Sequence, residues 1–149
     1  MRVKYLIVLL AIIISSCNST KKSASIKENS TMKANLIDGL WEVNYIMNTP
    51  KQLNELFPKG KPTITFDSAK KSVAGNSGCN NFNGKCSMEG NSIKIDEAMA
   101  LTRKMCLDMT GETLFLETLK KVNSYSVTNQ GKTLNLIVGD IAVMRLERI

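Results

Sequence analysis

YSVTNQGKTLNLIVGDIAVMRLE, residues 125–147, alternates apolar and polar side chains in three short runs: Tyr125 to Thr128, Thr133 to Val138 and Ile141 to Glu147. Between them stand Asn129-Gln130-Gly131 and Gly139-Asp140, residue types that accept the left-handed backbone of a tight turn. A period of two turns one side of each run to a core and the other to water, and strands joined by so few residues pair antiparallel. A three-stranded meander is therefore predicted at this end of the chain.

Immediately upstream the period changes. From Gly111 to Val122, Phe115, Leu116, Leu119 and Val122 fall on one stripe, while Glu112, Glu117, Lys120 and Lys121 face away. Thr110 reads as the N-cap of this helix, with Glu112 near the positive end of its dipole and two lysines near the negative end. Further back, Leu40 to Met47 sets Trp41, Val43, Tyr45 and Met47 on one face against Glu42 and Asn44. Pro62 to Phe66, Lys71 to Ala74 and Ser92 to Ile95 are three more strand-like runs, the second pairing with the first across the Asp67 to Lys70 turn. Pro50 to Phe57 permits a short helical turn that Pro58 closes. The sum is an α+β fold: a single domain, a curved antiparallel sheet or open barrel, with one main helix packed on it or plugging its open side.

The beginning of the chain is a different kind of sequence. A ten-residue apolar run, Tyr5 to Ile14, follows the basic start Met1-Arg2-Val3-Lys4 and ends at Ile14-Ser15-Ser16-Cys17, which resembles a lipoprotein signal peptide with its lipobox. At about 1.5 Å per helical residue the run covers roughly half of a ~30 Å hydrocarbon core, the length of a signal-peptide core rather than of a spanning anchor. Residues 18–35 are polar, with isolated apolar side chains that cannot repay the entropy of ordering. The expected boundaries are a signal peptide over 1–16, a lipidated Cys17 and flexible linker over 17–35, and one folded domain over 36–149. Acyl chains on Cys17, at ~0.8 kcal/mol per buried methylene, would moor the mature chain to a membrane. Asn18, in place of the aspartate that typically retains lipoproteins in the inner membrane, favours the outer membrane, facing the periplasm. The alternative is ordinary secretion with an incidental cysteine.

Composition narrows the function classes. The formal charge is +7, from 20 Lys+Arg against 13 Asp+Glu; removing residues 1–16 takes away Arg2 and Lys4 and leaves 18 against 13. Four of the remaining lysines, Lys21, Lys22, Lys27 and Lys33, lie in the linker. With no basic run and few aromatics in the domain, nucleic acid is not an expected partner. Histidine is absent, which removes the commonest general base and metal ligand. Asp96, Glu97 and Asp108 are not placed in one cleft by the sequence and read as solvated. Met99, Met105, Met109 and Met144 form no metal motif and read as core filling. No catalytic residue, cofactor or metal site is expected.

Two segments carry a family resemblance. Gly75-Asn76-Ser77-Gly78-Cys79-Asn80-Asn81-Phe82-Asn83-Gly84 and Ala100-Leu101-Thr102-Arg103-Lys104-Met105-Cys106, followed by Glu112 and the helix, resemble the META domain, a family that includes heat-inducible envelope lipoproteins of the HslJ type. Its pattern is a Trp-containing first strand, here Trp41, a Gly-x-x-Gly-Cys-Asn-x-Phe-x-Gly loop, a Thr-x-Met-x-Cys segment and a helix with a leading Glu. This chain departs from it at Lys104, ahead of Met105-Cys106, and at Cys86, where the family often has a large residue. Read physically, the first segment is a strand and a sharp turn, with glycines that permit positive φ, asparagines that bond their own backbone, and Phe82 as a pin on the core. A structural corner explains it; so does a binding surface built from Asn80, Asn81, Phe82 and Arg103.

Three cysteines lie in the domain: Cys79, Cys86 and Cys106. The resemblance implies a Cys79–Cys106 disulfide, since those two positions belong to the family pattern. The residues themselves leave open a Cys79–Cys86 bridge across a hairpin turning at Asn83-Gly84, and three reduced thiols. Three thiolates spaced this way without histidine match no zinc pattern, and no base is in sight to activate one as a nucleophile. By resemblance the protein is expected to be a monomeric, non-enzymatic envelope lipoprotein acting in stress tolerance or outer-membrane maintenance through an envelope protein or an apolar ligand. The alternative is a small periplasmic hydrolase or metal-handling protein using the cysteine and asparagine loop.

Overall fold

Strand-forming alternation is realised almost wherever the sequence carries it. The computed structural model describes residues 36–149, so the expected signal peptide over 1–16, the lipidation site Cys17 and the linker over 17–35 lie outside the described residues. Nine strands form: β1 (Gly39–Ile46), β2 (Thr63–Asp67), β3 (Ser72–Asn76), β4 (Asn81–Glu89), β5 (Ser92–Ile95), β6 (Ala100–Leu101), β7 (Ser124–Thr128), β8 (Thr133–Val138) and β9 (Ile141–Arg148). Among the described residues two α-helices lie between these strands, a single turn α1 (Leu53–Leu56) and the long α2 (Thr110–Lys121).

Every strand pairs antiparallel with its neighbours in the order β3-β2-β1-β9-β8-β7-β5-β4, and β3 pairs with β4, so eight strands close into a ring. The short β6 continues the line of β5 along β4, with Phe82 opposite Leu101 and Asn83 opposite Ala100. This is the expected curved antiparallel sheet with one main helix, carried to closure, which removes exposed edges. Closure is thinnest between β5 and β7, which share one register pair, Ser92 and Ser124, beside Ile93 N–H donating to Asn123 O at 3.0 Å.

An eight-stranded barrel is just wide enough for side chains to fill. Trp41, Ile64, Phe66, Leu134, Leu136, Met144 and Leu146 fill this one. Helix α2 adds Phe115 and Leu119 to the same core, and the Phe115 ring stands 5.7 Å from that of Phe82. Gly111 allows α2 to approach α1, because a Cβ there would lie 2.5 Å from the Leu56 carbonyl oxygen and 2.8 Å from the Phe57 ring. At the other end of the chain, Arg148 donates to the carbonyls of Gly131 and Asp38 and stacks 4.2 Å over Trp41, tying β9 to the residues that lead into β1.

Four local expectations are corrected. In β1 the register against β9 slips between Val43 and Tyr45, and this bulge flips the alternation: Ile46 is buried, while Tyr45 is 41% exposed beneath Arg145. Thr110 is the first residue of α2 rather than its cap; Met109 holds the cap position without a side-chain bond, and Asp108 Oδ1 accepts the Thr110 N–H at 2.8 Å in a turn just before the helix. The helical turn after Pro50 covers only Leu53–Leu56. The Gly75 to Gly84 segment contains less loop than expected, since its two ends belong to β3 and β4 and only the Ser77 to Asn80 turn lies between.

Candidate functional site

The Ser77 to Asn80 turn closes on itself before it meets anything else. Ser77 N–H donates to Asn80 O at 2.8 Å, and the Gly78 N–H donates to Asn76 Oδ1 at 2.8 Å. Gly78 has φ +95°, and a Cβ there would strike the Phe57 ring at 2.3 Å, so the turn is restricted to glycine by conformation and by space.

Into this turn the first turn of α2 inserts Glu112. Its Oε2 accepts from the Ser77 hydroxyl and from Asn80 N–H at 2.9 Å, and its Oε1 accepts from Asn80 Nδ2 at 3.0 Å. Glu112 was expected to face water with the other charges of its helix; it is 6% exposed. Burial pushes its carboxyl pKa up, but the hydrogen bonds from Ser77 and from the Asn80 side chain and backbone outweigh that and hold it below its ordinary value. The positive end of the helix dipole acts in the same direction.

Asn80 passes the connection on. Its Oδ1 accepts from Thr102 Oγ1 at 2.9 Å and from Lys104 N–H at 2.7 Å, so one buried side chain joins the turn, the helix and the segment after β6. The same segment is fastened a second time by Cys79 and Cys106, which stand at disulfide distance with Cα atoms 6.4 Å apart, leaving Cys86 as the free thiol among the described residues.

The four residues proposed as an interaction loop do not share a surface. Asn80 and Phe82 are each 2% exposed, the first consumed by hydrogen bonds and the second packed on Phe115, so neither is available to a partner. Asn81 and Arg103 are exposed. Beside its charged side chains the clamped segment presents apolar ones to solvent: Met105 and Leu107 are fully exposed, and Leu101 and Met109 are 37% and 41% exposed. The methionines therefore divide, with Met144 buried, Met99 packed against the core, and Met105 and Met109 outside it. The sequence reading missed Ser77, Thr102 and Glu112, and its only signal for Glu112 was the leading Glu of the family pattern.

The other titratable groups singled out in the sequence are placed as follows. Burial pushes the Cys86 thiol up to about 12, which keeps it protonated. Asp96, Glu97 and Asp108 are all exposed. Among the described residues no group of three His, Cys, Asp or Glu side chains is placed to hold a metal ion, and no helix is long and apolar enough to cross a membrane.

The fold is similar to known structures. An NMR structure of a protein from Burkholderia xenovorans matches with a TM-score of 0.62 at 17% identity, covering 79% of this chain and 87% of that one. A second NMR structure matches with a TM-score of 0.54 at 21% identity, covering 76% of this chain and 91% of the other. No curated protein matches the sequence. The profile of the META domain matches residues 34–148, nearly the whole span of the barrel and its helix, and the chain belongs to the META domain family.

Proposed function

We propose that this protein is a non-enzymatic binding module of the cell envelope, moored to the outer membrane by lipid on Cys17 and facing the periplasm, where its META domain acts in stress tolerance or membrane maintenance by docking a protein partner. The observation that carries this reading is the clamped segment. Leaving Met105 and Leu107 in water is unfavourable, since each forgoes roughly 1.5–3 kcal/mol of burial, yet the segment bearing them is held by a disulfide and by two hydrogen bonds to Asn80. A rigid scaffold presenting exposed apolar side chains is how interaction loops are built. Arg103 and Lys104 flank the apolar pair and suit a partner with an acidic rim.

The test is site-specific photocrosslinking in intact cells, with the crosslinker at position 105 and, as a control, at exposed position 145. A discrete adduct at 105 that Leu107→Asp abolishes supports the reading; no adduct, or the same adducts at both positions, overturns it. Labelled palmitate retained by the parent and lost in Cys17→Ala supports the anchor, and absence of label in the parent overturns it.

A further inference from the structure

Beyond the clamped end, a second feature lies at the C-terminus of α2. Four segments converge there: the turn between β2 and β3, the middle of β4, β5 with the residues after it, and the last turn of α2. They line an open cleft of about 1050 Å³, comparable with the upper end of the roughly 300–1,000 Å³ typical of small-molecule sites. It opens where the β3–β4 pairing ends: Cys86 N–H donates to Lys71 O at 2.8 Å, and from Cys86 onward β4 pairs with β5.

The lining has two parts. Its floor is apolar, formed by Cys86, Ile93, Ile95 and Val122, barrel-core residues that are each under 5% exposed and show only their outermost atoms to the cleft. Its walls carry Lys70, Lys71, Lys85, Lys94, Lys120 and Lys121. Of these, Lys70 is bound to Asp67 at 2.8 Å, and among the described residues the other five have no ion-pair partner. Only two carboxylates, Asp96 and Glu97, line the same cleft. Even against the roughly half negative charge at the carboxyl end of α2, positive charge is in excess. Like charges gathered on a low-dielectric wall repel one another and focus their field into the cleft, and an anion entering it relieves both. The lysine stems are apolar and extend the floor upward to the charged tips.

We propose that this cleft binds an anionic amphiphile, an acyl chain with a single negative head, with the head among the lysine tips and the chain against the lysine stems above the Cys86–Ile93–Ile95–Val122 floor. The same head-and-chain chemistry is offered by a free long-chain carboxylate and by an acidic phospholipid. The site is separate from the segment at Met105 and Leu107, so it stands whether or not the docking reading does.

The test uses the purified full chain and palmitate carrying a diazirine in its chain, with adducts located by peptide mass. Labelling within residues 85–97 and 120–123, reduced at least tenfold in Lys94→Glu/Lys121→Glu and displaced by oleate but not by oleyl alcohol, supports the proposal. Displacement by phosphatidylglycerol vesicles and not by oleate assigns the phospholipid as the source. The neutral variant Lys94→Gln/Lys121→Gln, checked for the parent's thermal midpoint, separates lost charge from lost fold and is expected to weaken labelling as well. Labelling confined to other peptides, labelling unchanged in folded variants, equal displacement by oleyl alcohol, or displacement by inorganic phosphate alone overturns it.

Discussion

The two ends of helix α2, about 18 Å apart at 1.5 Å per residue, treat charge in opposite ways. At the N-terminal end one carboxylate, Glu112, is buried, and both of its oxygens are engaged by Ser77 and Asn80. At the C-terminal end five lysines stand around an apolar floor with no ion-pair partner among the described residues. The first arrangement is complete within the fold, so its residues are structural even though they form the most distinctive motif of the sequence. The second is complete only when something enters from outside. Distinctiveness of sequence and availability for binding thus fall on different ends of one helix.

Breaking the closed end should have the largest effect. Glu112→Ala removes the carboxylate that the Ser77 hydroxyl, the Asn80 N–H and the Asn80 amide all bond, leaving the hydroxyl only the Asn80 carbonyl and the N–H only Ser77 Oγ at 3.2 Å, a loss of about 4 kcal/mol or roughly 15 °C in thermal midpoint for a domain of this size. A loss under about 1 kcal/mol would move the closed end into the class of ordinary surface contacts. Replacing both Cys79 and Cys106 by alanine releases a crosslink spanning 27 residues. In the chain-entropy view that costs about 3.5 kcal/mol, measurable by urea denaturation. In the parent, Cys86 should resist alkylation at pH 8 until the chain is unfolded, because burial keeps it a thiol.

Acid sharpens the comparison further. The Glu112 pKa is lowered in the folded state, so its contribution is complete above the ordinary carboxylate value near 4.5 and is lost as pH falls through the lower folded value. Thermal midpoints between pH 3 and 6 should therefore decline toward acid, with a shallower slope in Glu112→Gln. Part of the slope should remain, because Asp67, bonded to Lys70, and Asp108, bonded to Thr110, shift in the same direction. The smallest effect is expected at the exposed segment. Met105→Ser and Leu107→Ser should leave stability within about 0.5 kcal/mol of the parent, since neither side chain is buried; a larger loss would mean that the segment packs on the barrel rather than awaiting a partner.

Much of the barrel was legible because alternation reports which side of a strand is wet. The three strands of residues 125–147 form where they were read, with a register shift between Leu136 and Ile137 that buries Val143 and Met144 side by side, and the β2–β3 hairpin across Asp67 to Lys70 forms as well. The bulge at Asn44 was not legible, because one inserted residue reverses the phase of everything after it without altering composition. The start of β4 was hidden by Asn81, Asn83 and Gly84, poor strand formers that pair here because β3 lies on one side and β6 on the other. Glu112 misled for a related reason: on the helix surface it looks like any solvated acid, and its donors are 32 and 35 residues away in sequence. Ring closure and the lysine cleft share that limit. Both arise where distant segments meet, and no local pattern announces either.

The central claim is that the Ser77 to Asn80 turn is part of the core through Glu112 rather than a mobile corner. Native-state hydrogen exchange of the Asn80 amide tests it most directly. That amide should exchange as slowly as that of Ile64 in the middle of the barrel, and far faster in Glu112→Gln. Exchange of the parent's Asn80 amide at the rate of the exposed Met105 amide would contradict the account.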